Sequence, residues 1–263
     1  MTQGIDPVSA LDFSGKTVLV TGGGVGIGRA IADSFAAAHA SLIIVENNAY
    51  HLSALKAAHP QATLIDADIC DRSTPALIAE TLQKLGKSLD VLINNVGHFV
   101  HARPFEMLYA DEADEILDVN LGQLLRTTSA MIPFLRQAQG GASIINITSI
   151  EAFRAIPNCS VYAAAKAGIA GFTKSLAVEL APAGIRVNDI APETTDTPQL
   201  ALDYMIPPDN RTHEERWIPL GRFGKPSDCA GIWMVVHEAR QGRKETDHDA
   251  GNDGSGRTSS AGW

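Results

Sequence analysis

The sequence contains no run of 18 apolar residues, so we expect no segment that crosses a lipid bilayer. Residues 1–10 lack the basic and apolar regions of a secretory signal. The three cysteines, Cys70, Cys159 and Cys229, have neither C-x-x-C nor metal-ligand spacing. They are best interpreted as reduced thiols. We therefore expect a cytoplasmic protein without a metal site.

Positive charge is also scarce. The 263 residues include 21 Lys and Arg against 30 Asp and Glu, which gives a formal net charge of −9. Such a balance argues against nucleic acid or an anionic membrane surface as a partner. Apolar residues make up 45% of the chain, enough for a large core. A small molecule is the partner that this composition favours.

The common glycine signatures are missing as well, both G-x-G-x-x-G and the P-loop G-x-x-x-x-G-K-[ST]. Instead, the β-branched run 16–21 predicts a buried strand, T-G-G-G-V-G-I-G follows at 21–28, and a helical pattern comes next. A strand, a glycine turn and a helix can hold a dinucleotide pyrophosphate at the helix N-terminus. An ordinary glycine-rich turn is the alternative.

Tyr162 and Lys166 stand four residues apart in a run of good helix formers that Ser160 could cap. Residues at this spacing share one helix face. There a Lys ammonium can lower the pKa of a phenol from its usual value of about 10. The pair therefore indicates a phenol that acts as a base, although Tyr-x-x-x-Lys also arises by chance.

Predicted strands and helices alternate along the chain. The strands are expected at 16–21, 41–46, 62–66, 90–94, 142–148 and 185–190. The helices are expected at 27–39, 49–59, 73–86, 111–137 and 160–182. This order predicts an α/β fold whose parallel sheet is covered by helices on both faces. Ligands of such sheets bind at the carboxyl ends of the strands.

With these motifs in this order, the chain resembles the classical short-chain dehydrogenase/reductase family. The motifs that carry the resemblance are the glycine turn 21–28, N-N-V-G at 94–97, Asn120 in D-V-N-L-G, Ser149 thirteen residues before Tyr162, Y-x-x-x-K at 162–166, V-N-D-I-A-P at 187–192 with Thr197, and I-P-L-G-R-F-G-K-P at 218–226. The resemblance implies a single-domain, doubly wound, Rossmann-like sheet over 14–237. An N-terminal extension would cover 1–13, and a substrate lid would span about 198–217.

The implied reaction is hydride transfer between a nicotinamide cofactor and a secondary alcohol or ketone, in a homodimer or homotetramer. Tyr162 fits the general base for the hydroxyl proton, and Ser149 can donate to the substrate oxygen. By resemblance, Lys166 also binds the nicotinamide ribose. Asn120 would bend its helix and hold a water that links Lys166 to solvent.

The expected cofactor is NAD. Glu46 ends the second strand, where an acid can accept hydrogen bonds from ribose hydroxyls and repel a 2′-phosphate. Its neighbours Asn47 and Asn48 are not basic, and Val25 lies where NADP-dependent relatives often carry a basic residue. The cofactor-binding residues expected by resemblance are Thr21, Gly22, Gly26, Ile27, Gly28, Glu46, Asp68, Ile69, Asn95, Gly97, Tyr162, Lys166, Pro192, Thr195 and Thr197.

The substrate pocket is expected to be lined by His98, Phe99, Glu151, Phe153 and Cys159. These side chains do not identify one alcohol or ketone. Two rival functions stay open: an NADPH-dependent ketone reductase of the 3-oxoacyl type, and a non-catalytic dinucleotide-binding protein of the same fold.

The sequence departs from the family in two places. Glu193 follows Pro192 where the family commonly has glycine, which puts the local backbone shape or the cofactor affinity in doubt. Residues 238–263 are polar and rich in glycine where the family has its last strand. That strand is therefore expected to be missing or altered, with a mobile tail in its place.

Overall fold

A six-stranded parallel sheet forms the centre of the computed structural model, which describes residues 12–198, 200 and 215–230. Along the sheet the strands follow the order β3-β2-β1-β4-β5-β6. Their bounds are β1 Thr17–Thr21, β2 Ser41–Glu46, β3 Thr63–Asp66, β4 Val91–Asn94, β5 Ala142–Ile147 and β6 Ile185–Ile190. The order reverses between β1 and β4, and a crevice for a ligand opens at such a switch point.

Helices cover both faces of this sheet. Their bounds are α1 Gly26–Ala37, α2 Ala49–Ala58, α3 Thr74–Leu85, α4 Ala110–Leu117, α5 Gln123–Leu135, α6 Ser160–Leu180 and α7 Pro226–Ala230. Alternating residues of β1 show how the two cores arise, because Leu19 packs with α3, α5 and α6 whereas Val18 and Val20 pack with α1, α2 and α7. The predicted α/β fold is confirmed.

The prediction of one continuous helix at 111–137 is wrong in one respect, because the structure divides this helix into two. A π-helical turn, Asp118–Gly122, separates α4 from α5. Asn120 lies at its centre, fully buried, and donates through Nδ2 to the carbonyl of Ile116 at 2.9 Å. The side chain of Asn120 thus satisfies a backbone carbonyl where the regular helical pattern is interrupted.

The N-terminus of α6 also differs from the sequence prediction. Ser160 is the first residue of the helix rather than its cap, and Cys159 occupies the cap position without a side-chain hydrogen bond. Tyr162 nevertheless falls in the first turn, as expected.

Several sequence predictions fall outside the described residues. These are most of the N-terminal extension, the central part of the lid at 201–214, and the polar tail at 238–263 with the family's last strand. Within the described part of the chain, no helix is long and apolar enough to cross a membrane. All three cysteines lie in the described part, and none forms a disulfide.

Candidate active site

Tyr162 and Lys166 lie side by side at the carboxyl edge of the sheet. Both side chains are buried, and the Lys166 Nζ lies 5.6 Å from the centre of the Tyr162 ring. Lys166 also donates to the carbonyl of Ile147, the last residue of β5, at 2.9 Å. Helix α6 and strand β5 therefore hold the ammonium beside the phenol.

Burial dominates the protonation of this pair. Loss of solvent raises the pKa of Tyr162 to about 12, although the nearby Ser149 hydroxyl opposes the rise. Loss of solvent lowers the pKa of Lys166 to about 8. The phenol pKa therefore lies above its ordinary value, opposite to the lowering expected from Lys166, because desolvation is the largest influence on it.

Asn120 links the π-helical turn to the loop after β4. Its Oδ1 accepts from the backbone N–H of His98 at 3.0 Å, and its Nδ2 donates to the His98 carbonyl at 2.7 Å. Gly97 lies next to the side chains of Asn120 and Lys166. A Cβ added at this position would lie 2.6 Å from Lys166 Nζ and 2.8 Å from Asn120 Oδ1. A side chain at position 97 would therefore displace the Lys166 ammonium and the Asn120 amide from these positions.

The glycine turn is held in shape by hydrogen bonds from the end of β4. Asn95 donates through Nδ2 to the carbonyls of Thr21 at 3.0 Å and Gly22 at 3.1 Å, and its own N–H donates to Thr21 Oγ1 at 3.0 Å. Gly22 and Gly26 have positive φ, at 64° and 60°. A Cβ on Gly28 would lie 2.1 Å from the Gly22 carbonyl oxygen, so the first turn of α1 is in direct contact with the residue that follows β1.

Glu46 lies across this turn at the end of β2. Its carboxylate is buried and accepts from three backbone N–H groups, those of Gly24 at 3.0 Å, Asn47 at 3.2 Å and Asn48 at 3.1 Å. These bonds fix a negative charge beside the glycine turn.

A cavity of about 370 Å³ opens between the glycine turn and the π-helical turn. Four carboxylates line it, those of Glu46, Asp68, Glu115 and Asp118, and the described residues that line it include no Lys or Arg. Val45, Ile69 and Val96 supply apolar walls. Sequence reasoning identified Glu46, Asp68 and Ile69 but missed Glu115 and Asp118, although Asp118 stands in the same D-V-N-L-G motif as Asn120.

The segment after β6 approaches the same region. The side chain of Thr197 lies against Gly26, where an added Cβ would be 3.2 Å from the Thr197 methyl group. Thr195 Oγ1 donates to the Glu193 carbonyl at 2.7 Å, and the Pro192 carbonyl accepts from Ile150 N–H at 3.1 Å. The structure thus brings the loops after β5 and β6 together beside the glycine turn.

A chain of polar side chains begins at Ser149. Its hydroxyl donates to the buried carboxylate of Glu151. Arg154 donates to the other Glu151 oxygen at 3.2 Å and to both oxygens of Glu193, at 2.8 Å and 2.6 Å. Glu193, which departs from the family pattern, therefore has an ion-pair partner. Sequence reasoning did not identify Arg154, and its spacing from Glu151 (i, i+3) was the available signal.

The expected substrate residues are not all brought together. The Phe99 and Tyr162 ring centres lie 4.5 Å apart, and Cys159 is buried in the same cluster, where desolvation raises its thiol pKa. His98 accepts from Val100 N–H through Nδ1 at 2.7 Å, and partial desolvation lowers its pKa. Both His98 and Phe153 are nevertheless exposed to solvent.

Known proteins resemble this chain over most of its length. Residues 16–203 match the short chain dehydrogenase family. Levodione reductase of Leifsonia aquatica is 34% identical, covering 84% of this chain and 86% of the relative. The 3-oxoacyl-(acyl-carrier-protein) reductase of Thermotoga maritima is also 34% identical, covering 85% and 91% of the two chains. The crystal structure of a 3-ketoacyl-(acyl-carrier-protein) reductase from Brucella melitensis in complex with NADH superimposes with a TM-score of 0.79 at 32% identity, over 87% of this chain and 93% of that one.

Proposed function

Because this chain belongs to the short-chain dehydrogenase/reductase family of oxidoreductases, we propose that it transfers a hydride between NAD(H) and a secondary alcohol or ketone. The observation that carries this proposal is the meeting of four side chains at the carboxyl edge of the sheet. They are Asn120, Ser149, Tyr162 and Lys166, all buried.

In the proposed reaction, Tyr162 exchanges the proton of the substrate hydroxyl. Ser149 donates to the substrate oxygen and stabilises the negative charge that develops there. Lys166 supplies a positive charge beside the phenol while it is protonated. Asn120 holds the His98 backbone through two hydrogen bonds and so connects the π-helical turn to the loop after β4.

The cofactor would lie along the edge formed by the glycine turn and the cavity beside it. The N-terminus of α1 and Gly22, Gly26 and Gly28 suit a pyrophosphate. The cavity near Asp68 and Ile69 suits an adenine ring with its ribose. When bound, the nicotinamide supplies the hydride acceptor or donor, and the protein supplies position.

The choice of NAD over NADP is supported by charge. The carboxylate of Glu46 is fixed by three N–H groups, and three further carboxylates line the same cavity. A 2′-phosphate placed there would be repelled, and Arg126, which contacts the lining residues Cys70 and Asp118, is already ion-paired with Asp118.

Steady-state kinetics with purified protein test this proposal. NADH and NADPH would be compared with a panel of cyclic and linear ketones, and NAD and NADP with the matching secondary alcohols. We expect turnover with a higher kcat/KM for NAD(H). A preference for NADPH would favour the 3-oxoacyl type of ketone reductase, the activity named for the Thermotoga maritima relative. Cofactor binding without turnover on any substrate would favour the non-catalytic alternative.

We also propose assembly as a homodimer or homotetramer in the cytoplasm. Large apolar side chains are exposed near α4 and α5, among them Phe105, Met107, Tyr109 and Leu125. Phe105, Met107 and Tyr109 lie close together in the sequence, and exposed apolar side chains that form one patch mark interaction surfaces. The unpaired cysteines are compatible with a reducing compartment.

A further inference from the structure

The Ser149 hydroxyl has only one proton to donate, and the structure commits it to Glu151. The proposed reaction needs that proton on the substrate oxygen. A hydrogen bond to an ionised carboxylate is stronger than one to a neutral carbonyl or hydroxyl. Glu151 therefore competes with the substrate for Ser149.

When Ser149 donates to the substrate instead, Glu151 Oε2 loses its hydrogen-bond donor. Its carboxylate is 8% exposed, and among the described residues its Oε2 has Ser149 as hydrogen-bond partner. Removing the donor from a buried acceptor costs free energy unless another donor replaces it. The replacement must come from inside the site.

Arg154 is not free to become that donor. It already contacts Glu151 Oε1 at 3.2 Å, and it is held on the far side by both oxygens of Glu193. Moving it to Glu151 Oε2 would break hydrogen bonds to Glu193. The three side chains also carry a net charge of −1, which disfavours a substrate with a carboxylate next to the reacting carbon.

Resting on the proposed function, we infer that Glu151 selects substrates with a hydroxyl on the carbon next to the reacting one, that is, vicinal diols and the matching hydroxy ketones. In such a substrate the reacting oxygen accepts from Ser149 while the neighbouring hydroxyl donates to Glu151 Oε2. The two oxygens of a gauche diol lie about one hydrogen-bond length apart, like the two protein atoms that they engage. A substrate with a single hydroxyl leaves Glu151 Oε2 without a hydrogen-bond donor among the described residues.

The test compares trans-1,2-cyclohexanediol with cyclohexanol, first by binding and then by turnover. Binding is measured by titrating each alcohol into the protein with NADH bound, where no hydride can be transferred, and following NADH fluorescence. Turnover is measured with NAD. Wild type, Glu151→Ala and Glu151→Gln are compared, with Glu179→Ala as the control because Glu179 lies exposed on α6.

We expect wild type and Glu179→Ala to bind the diol about tenfold more tightly than cyclohexanol, as a lost buried hydrogen bond predicts. Glu151→Ala should bring the two affinities together and should raise kcat/KM for cyclohexanol, because Ser149 is released. Glu151→Gln, which keeps an acceptor oxygen, should lie between them and covers the case in which the Ala variant does not fold.

Equal affinities in wild type, or the same diol preference in Glu151→Ala as in wild type, would overturn the inference. Turnover of both alcohols without a diol preference would leave the proposed function intact. Conversely, a Glu151-dependent diol preference without any turnover would support the recognition by Glu151 and contradict the proposed hydride transfer.

Discussion

At Tyr162 and Lys166, burial favours the neutral form of both side chains. It raises the phenol pKa to about 12 and lowers the ammonium pKa to about 8. Below pH 8 the site holds a protonated Tyr162 beside a charged Lys166. That state suits a proton donor, so ketone reduction should proceed over a broad neutral range, whereas alcohol oxidation should accelerate as pH rises.

Tyr162→Phe tests the role of the phenol oxygen. Since only the proton-transferring atom is removed, we expect kcat/KM to fall by about a thousandfold, while the Kd for NADH changes by less than about threefold. Tyr50→Phe is the control, because Tyr50 is exposed on α2. Activity of the Tyr162 variant within about tenfold of wild type would mean that another group moves the proton.

Glu46 joins two elements, the end of β2 and the glycine turn. Glu46→Gln keeps the size of the side chain and removes the charge, while one of the two acceptor oxygens becomes an NH2 donor. We expect the ratio of kcat/KM for NADP to that for NAD to rise on the order of tenfold, because one repulsive charge is lost next to the ribose position. Glu106→Gln, on an exposed short helix, should leave the ratio unchanged. An unchanged ratio in Glu46→Gln would show that its carboxylate does not face the cofactor.

The π-helical turn between α4 and α5 depends on Asn120. Asn120→Ala removes three hydrogen bonds, two to His98 and one to Ile116, and leaves backbone groups of both residues without their partner. We expect the free energy of unfolding to fall by about 2–3 kcal/mol and kcat to fall with it. Urea denaturation measures the first effect, with Gln83→Ala on the exposed face of α3 as control. A loss below about 0.5 kcal/mol would show that the turn forms without Asn120.

The sequence allowed prediction of the strands better than of the turns. Strands such as β1 and β5 fall within one residue of the predicted bounds, because β-branched apolar runs flanked by glycine rarely form anything other than a buried strand. The resemblance implied a bend at Asn120, but the sequence pattern did not locate the π-helical turn Asp118–Gly122, since its cause is a tertiary contact with His98. The Glu151 contact with Ser149 was missed for a similar reason, and so was the upward pKa shift of Tyr162, which depends on burial.

For the whole molecule, the same two pKa shifts make stability depend on pH. Lys166 has a folded pKa of about 8, below its ordinary 10.5, so between these values the unfolded chain binds the extra proton and the free energy of unfolding rises with pH. Tyr162 acts in the opposite sense from pH 10 to 12, where the folded chain keeps its proton.

As the pH rises from 8 to 10.5, the free energy of unfolding of wild type should therefore increase by about 2–3 kcal/mol relative to that of Lys166→Met. Denaturant unfolding at several pH values measures this change. Lys84→Met, on an exposed lysine of α3, should show a constant difference. A constant difference for Lys166→Met as well would mean that Lys166 is not desolvated in the folded protein.

The close contacts at Gly28 and Gly97 also determine how the gene tolerates mutation. Every missense change of a glycine codon adds a Cβ, and at these two positions that atom would meet the Gly22 carbonyl oxygen or the Lys166 Nζ. At Gly171, on the exposed face of α6, the same atom meets nothing within 4 Å. In a library of random single-nucleotide variants selected for activity, codons 28 and 97 should therefore be depleted of every substitution, while alanine at codon 171 should survive.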